Sequence, residues 1–386
     1  MNRKVKNKCK IVHWCLLLIV IFAFQESVAK ATDRNIQDLI TESVQGIKKL
    51  SGSNRKYVLA DGKVFEVGNS VCDWAAVAMA VSGEKEAYEN YLERMETYVE
   101  RSYRENNGLD LVKATPYHTS VLTIVALGGN PLAFGTDADG NSIDLLADGT
   151  YDFQGESLGT QGLTGYIYAL IALDANAYEI PKTARYNREQ ICNAIIESQS
   201  ENGGLSIDGK GEDVDVTAMA LQALAPYKEQ NAVNEAITKA VNWLEKQMTP
   251  YGTFCCGSVE TCESTAQVLM ALCALDLERD DRFEKDGITP WEGLQEFRLE
   301  DGTYVHTLEE TEGNLIATEQ AVLALEAVML RETKDKWLLN FEGYKMPEEQ
   351  KVKEEVSWYR LVAVVLIMGS IAVGIIKHKK EKREYV

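Results

Sequence analysis

A nine-residue segment of this chain comes back twice with altered letters. Val216-Thr217-Ala218-Met219-Ala220-Leu221-Gln222-Ala223-Leu224 returns as Ser264-Thr265-Ala266-Gln267-Val268-Leu269-Met270-Ala271-Leu272, and again as Ala317-Thr318-Glu319-Gln320-Ala321-Val322-Leu323-Ala324-Leu325. Self-similarity at a fixed period means stacked copies of one supersecondary unit, because a single unit cannot bury its own apolar face. Weaker copies run toward the N-terminus. Marking each copy by its last apolar residue gives Val81, Leu127, Leu170, Leu224, Leu272 and Leu325, spaced 43 to 54 residues apart. Each of these six copies has room for two helices and two loops.

The repeated segments are rich in Ala, Leu, Val and Met and poor in charge. A helix that is apolar nearly all round has to be buried. Between the copies lie amphipathic stretches: Ile36–Leu50, Ala87–Arg104, Arg188–Ser200, Ala232–Met248 and Trp291–Arg298. In the fourth, Val233, Ile237, Val241 and Leu244 recur at helical spacing while Glu235, Lys239 and Glu245 face away. These predict outer helices, with a short one near Asn141–Asp148 as the third. Gly-centred turns such as Asn202-Gly203-Gly204-Leu205, Pro250-Tyr251-Gly252-Thr253 and Asp301-Gly302-Thr303-Tyr304 precede the inner segments. The expected fold is all-α: an α/α six-barrel, or toroid, of about six helix pairs. A straight solenoid of helix pairs is the competing arrangement.

Gln199-Ser200-Glu201-Asn202-Gly203-Gly204-Leu205, followed by Asp213-Val214-Asp215-Val216-Thr217-Ala218-Met219-Ala220, resembles the prenyltransferase and squalene-cyclase repeat family. The likeness runs from roughly Asn35 to Leu330 and is greatest from Gln199 to Leu277. It implies the α/α six-barrel that the repeats predict.

Both ends carry signals of their own. Arg3, Lys4, Lys6, Lys8 and Lys10 precede an apolar run, Cys15–Phe24, and then small residues at Ser27-Val28-Ala29 and Ala29-Lys30-Ala31. That order predicts a secretory signal peptide over 1–31. Trp358 to Ile376 is almost wholly apolar, with Arg360 near its outer edge. At about 1.5 Å per residue it covers roughly one hydrocarbon core. Lys377, Lys379, Lys380, Lys382 and Arg383 follow and belong on the cytoplasmic side. The expected organisation is a signal peptide (1–31), an ectodomain (32–341), a charged stalk (342–357), a membrane span (358–376) and a basic cytoplasmic tail (377–386).

The formal charge is −19. The basic segments 1–29 and 377–386 contribute +4 and +3, so the remainder carries −26. A body of that sign does not seek nucleic acid. Of the cysteines in this body, Cys192 and Cys273 fall within helical patterns and are expected in the core. Cys262 is within loop reach of Cys255 or Cys256, which makes a local disulfide the leading expectation for an exported domain. Zinc is the weaker alternative, since no His accompanies the cluster.

Asp213-Val214-Asp215-Val216-Thr217-Ala218 is similar to the Asp-x-Asp-Asp-Thr-Ala motif of class II terpene cyclases. There the middle acid protonates an alkene or epoxide. Asp213 and Asp215 match the first two acids, and Val216 stands where the family has the third. Adjacent carboxylates help hold a proton in such a group, so the loss weakens the case for catalysis. The alternative is that Asp215 caps an inner helix, with Ser264 and Gln267 forming a matching capping box one repeat later. Tyr117-His118-Thr119 resembles the His part of the protein-prenyltransferase zinc site, but its Asp-x-Cys partner is missing. No metal or cofactor is expected.

Inner-helix N-termini converge on one rim and favour anionic or polar ligand groups. Trp74, Tyr117, His118, Tyr166, Tyr168, Asp215 and Glu263 are the candidate ligand-binding residues of that rim or wall. Aromatics with a few acids suit an amphipathic small molecule or a sugar. The sequence thus predicts a membrane-anchored, outward-facing toroid without catalysis, binding a small molecule or a cell-surface protein. The rival is an enzyme, either a terpene-cyclase relative acting through Asp213 and Asp215 or a carbohydrate-active barrel.

Overall fold

The structure, a computed structural model, describes residues 35–334 and 336–346. The expected signal peptide, span and tail lie outside the described residues, as does most of the expected stalk. Twelve α-helices alternate between two layers among the described residues. The outer ones are α1 (Ile36–Leu50), α3 (Tyr88–Asn106), α5 (Leu145–Gly149), α7 (Arg188–Glu197), α9 (Asn231–Gln247) and α11 (Pro290–Glu296). The inner ones are α2 (Ser70–Val81), α4 (Thr115–Ala126), α6 (Thr164–Asp174), α8 (Val214–Leu224), α10 (Cys262–Leu275) and α12 (Leu315–Lys334).

Each inner helix packs on the next, and α12 packs back on α2. The inner layer is therefore a closed ring, and the straight solenoid is excluded. Outer helices bury one stripe only. α9 buries Val233, Ala236, Ile237, Ala240, Val241, Trp243 and Leu244 and leaves its charged face in solvent. The expected third outer helix exists as α5, little more than one turn, capped by the Asp144 side chain at Ala147 N.

The recurring letters have a local cause. In the last three repeats the chain makes a short antiparallel return before each inner helix: Leu205 opposite Asp213, Phe254 opposite Thr261, Tyr304 opposite Asn314. Leu205 N donates to Thr217 Oγ1 at 2.8 Å, Phe254 N to Thr265 Oγ1 at 3.0 Å and Tyr304 N to Thr318 Oγ1 at 3.0 Å. Each hydroxyl donates onward to the carbonyl of Asp213, Thr261 or Asn314. The repeated Thr thus satisfies a buried backbone amide that would otherwise cost about 1–3 kcal/mol.

The Gly turns set the ring's closure. Gly203, Gly252 and Gly302 have φ of 108°, 75° and 85°, a region that other residues resist. A Cβ on them would lie 2.4 Å from Lys239 O, 2.2 Å from Thr289 O and 2.5 Å from Glu42 O. Each turn therefore presses on the outer helix of the next repeat, and the last presses on α1. Lys49 with Asp301 (2.6 Å) and Arg298 with Glu42 add ion pairs to the same seam.

The only named strands among the described residues, Phe254–Cys256 and Val259–Thr261, bear on the cysteines. Their register sets Cys255 opposite Glu260 and Cys256 opposite Val259. Cys262 follows the ladder as the first residue of α10, wholly buried, with its Sγ 3.6 Å from Ala317 O. Cys255, Cys256 and Cys262 are free thiols, which corrects the expected local disulfide: the turn into α10 carries Cys262 into the core, away from the hairpin. Cys192 and Cys273 are buried.

After α12 the chain does not leave at once. Leu338, Leu339 and Phe341 are buried, and Phe341 N donates to Ala175 O at the C-terminal end of α6. Tyr344 Oη donates to Ala80 O of α2 at 2.8 Å, and Met346 lies against Gly128 just past α4. This strap crosses the C-terminal ends of three inner helices. Residues 342–346, expected in the stalk, belong to the body, because Tyr344 and Met346 have packing partners there.

Candidate functional site

With the base strapped, the opposite end of the ring, where the inner helices begin, is the open one. On four inner helices, residues open to solvent near the helix start include pairs three or four apart: Val71 and Trp74, Pro116 and Thr119, Asp215 and Met219, Ile316 and Gln320. Such pairs share one helix face, and outer helices cover the other faces. Tyr168 and Glu263 are part-exposed as well. The Trp74 and Tyr168 rings meet with centroids 6.1 Å apart and planes at 57°, although α4 stands between their helices in the ring. They meet across the lumen. The mouth is thus a bowl with an aromatic and apolar lining. Lower in the wall, Gln222, Gln267 and Gln320 link three neighbouring inner helices by side-chain hydrogen bonds.

The two acids of the recurring motif divide the labour differently from the capping expectation. Asp213 is the cap: its Oδ1 accepts from Val216 N at 2.9 Å, and its backbone is still extended because it pairs with Leu205. Asp215 lies in the first turn, and one of its carboxyl oxygens is buried without a partner. Burial pushes its carboxyl up to about 6, the nearby Asp213 and Glu263 carboxylates push the same way, and the Ser264 hydroxyl pulls back. Ser264 is no cap either. Thr261 caps α10, accepting from Ser264 N at 3.3 Å, and its own hydroxyl donates to Ser264 Oγ at 2.8 Å. That leaves the Ser264 hydrogen for Asp215.

The two acids should therefore respond oppositely to mutation. Asp213→Ala is expected to cost about 1 kcal/mol through loss of the cap. Asp215→Asn is expected to stabilise the fold by about 1–3 kcal/mol above pH 6. The native carboxyl resists ionisation, so the wild type loses stability as pH rises from 3.8 to about 6 and is flat beyond. Denaturant titrations at pH 4 and pH 7.5 check both signs. A destabilised Asp215→Asn protein would return the capping role to Asp215.

Not every expected ligand residue reaches the bowl. His118 is fully buried, with Nε2 2.6 Å from Gly149 O, and burial pushes it down to about 4. It stands four residues after the N-cap Ala114, where the later repeats have their Thr, and it ties α4 to α5. Tyr117 accepts from Leu109 N at 2.9 Å and packs edge-on against Phe153, beneath Gly149. Tyr166 shares a 2.8 Å hydrogen bond with Ser157 Oγ and covers Gly159. These three are structural, because His118 Nε2 and the Tyr117 and Tyr166 hydroxyls are held by neighbouring segments, although His118 Nδ1 has no partner. Trp74, Tyr168, Asp215 and Glu263 do come together. Glu263 is joined to His306 Nδ1 at 2.8 Å.

Glu319 is the site residue that sequence reasoning missed. It is 3% exposed, its Oε2 has no partner, and burial with the Glu263 and Asp73 carboxyls pushes it well above the usual range. The signal was present in the recurring segment: Glu319 stands where the other two copies have Ala218 and Ala266. Asp73, by contrast, accepts from Tyr91 Oη at 2.6 Å and Gly68 N at 3.3 Å, a structural role. Among the described residues no group of three or more His, Cys, Asp and Glu is placed to hold a metal ion.

A closed ring of paired helices with its site at the inner-helix N-termini is an α/α toroid. The model of the Prenyltransferase alpha-alpha toroid domain family matches residues 84–266 and 217–345, and the chain belongs to that family. Solved structures with a similar chain path include the protein geranylgeranyltransferase-I of Candida albicans complexed with GGPP. It has 10% identity, covers 78% of this chain and 95% of its own, and has a TM-score of 0.49. A variant of the type II terpene cyclase MstE from Scytonema, without ligand, has 14% identity, covers 77% and 98%, and has a TM-score of 0.47. A second variant of that cyclase, in complex with geranylgeranyl dihydroxybenzoate, has 14% identity, 76% and 98% coverage and a TM-score of 0.46. No curated protein matches the chain at significant similarity.

Proposed function

We propose that this chain is a membrane-anchored toroid that presents its bowl outside the cell and binds a small amphipathic ligand there without transforming it. The observation that carries the reading is the bowl's lining: Trp74, Tyr168 and Met219 offer apolar surface, and Asp215 and Glu263 offer polar groups on the same open face. A mostly apolar concavity with a few convergent polar groups is the usual form of a small-molecule site. The anchorage rests on the apolar run at 358–376 and the basic residues after it, and the export on the leader-like segment over 1–31.

Asp215 supports a second reading, acid catalysis of the terpene-cyclase kind, because it is desolvated, uncommitted to capping and aimed by the Ser264 hydroxyl. Two features weigh against it. The carboxyl titrates near 6, so at neutral pH it is mostly carboxylate and has no proton to give. Val216, at the position of the motif's third acid, is a buried wall residue.

The test is a ligand screen on the full chain in lipid nanodiscs, read by thermal unfolding, with isoprenoid alcohols, aromatic amphiphiles and oligosaccharides. A ligand at a hundredfold its Kd adds about 2.7 kcal/mol to the native state. Stabilisation that Trp74→Ala or Tyr168→Ala removes supports the binding reading. Turnover of any of these compounds, lost in Asp215→Asn, overturns its non-catalytic half.

A further inference from the structure

The bowl holds more carboxyl groups than its walls can partner. Trp74, Tyr168 and Glu319 each stand five residues after the residue that precedes their inner helix, Asn69, Leu163 and Asn314 respectively. Trp74 and Tyr168 face the lumen at that level, so Glu319 does too. On either side of it lie carboxyls, Asp73 on α2 and Glu263 on α10. Near Asp215 stands His306, whose Nδ1 is already joined to Glu263. A buried carboxyl without a partner costs several kcal/mol. Wholly buried Glu86 meets that cost with Lys48 at 2.7 Å and the amides of Val58 and Leu59. Glu319 in the bowl does not, and neither does Glu326 at the strapped base. The helix dipoles, which the sequence suggested would draw anionic ligand groups, are answered by the protein's own Asp215 and Glu263 in the first turns.

We propose that the bowl is a receptor site for an organic cation, with the tilted Trp74–Tyr168 pair against its ammonium face and Glu319 and Asp215 as its counter-charge. Aromatic faces within about 6 Å attract an ammonium group, more strongly when water is excluded. This rests on the bowl being a ligand site and names the ligand's chemistry. An anion, or a lipid without a hydrogen-bond donor, would leave the Glu319 oxygen unpartnered.

The experiment uses the full chain in zwitterionic nanodiscs and three probes with one aromatic body: benzyltrimethylammonium, 2-phenylethanol and phenylacetate. Calorimetric titration is expected to show the cation binding at least tenfold more tightly than the alcohol, with phenylacetate weakest. Glu319→Gln, an isostere of the protonated side chain, is expected to lower cation affinity at least tenfold and leave the alcohol within twofold. Trp74→Leu should weaken both. Equal affinities, a preference for phenylacetate, no binding of the cation, or a Glu319→Gln protein with its preference intact each overturn the proposal. Alcohol binding without charge preference overturns it while leaving the ligand site itself standing.

Discussion

Gly302→Val is expected to cost about 3–6 kcal/mol, as the sum of a left-handed backbone penalty and forced overlap with packed backbone. Gly302 has φ of 85°, and a Cβ there would meet Glu42 O at 2.5 Å and Glu42 C at 2.8 Å. Those atoms belong to α1, so the overlap falls on the seam where the sixth repeat meets the first. Gly209 is the control: its φ is 77°, yet nothing lies within 4 Å of an added Cβ. Gly209→Val should lose only the conformational part, about 1–2 kcal/mol. The difference between the two, read from denaturant midpoints of the full chain, isolates the closing contact. Equal losses would mean that α1 does not press on the last turn and that the ring is open there.

Glu326→Gln is expected to stabilise the protein by about 3–5 kcal/mol at pH 8.5 and to change little at pH 4. Glu326 lies on α12 near the strap residue Tyr344, wholly buried, with neither carboxyl oxygen partnered. Burial pushes it from 4.5 to about 8, with only Lys334 pulling back. The native state therefore keeps a proton that the unfolded chain gives up, and the unfolded state gains on it as pH rises. The contribution is complete below 4.5, falls between 4.5 and about 8, and is flat above. Gln cannot ionise, so the difference between variant and wild type should grow across that window. Asp73 and Glu319 also titrate high, but they are common to both proteins and cancel. A constant difference across pH would place Glu326 in water and the strap off the base.

The fold was legible because its instructions are local. Thr217, Thr265 and Thr318 sit in recognisable segments, each holding the amide of a residue just past a Gly turn. Six repeats suit a ring or a straight solenoid, and the contact at the closing seam joins Gly302 to Glu42, with nothing in either neighbourhood to announce the other. The cap was misread because Asp213-Val214-Asp215-Val216 offers two acids within one turn. Only the pairing of Leu205 with Asp213 settles which of them ends the extended segment. His118 and Tyr117 looked like rim residues because the early repeats lack the Thr that would have fixed the register; their position places them between α4 and its neighbours. The strap was hidden by its charged surroundings: Leu338, Leu339, Phe341 and Tyr344 are few beside the acids and lysines that follow.

The most direct test is high-resolution density for the full chain purified in mild detergent from the membranes of cells that make it. The expected result is an unbroken ring of α2, α4, α6, α8, α10 and α12, with a non-protein molecule in the bowl touching Trp74, Tyr168 and Asp215. A gap between α12 and α2, or a lumen filled to its mouth by the protein's own side chains, would contradict it.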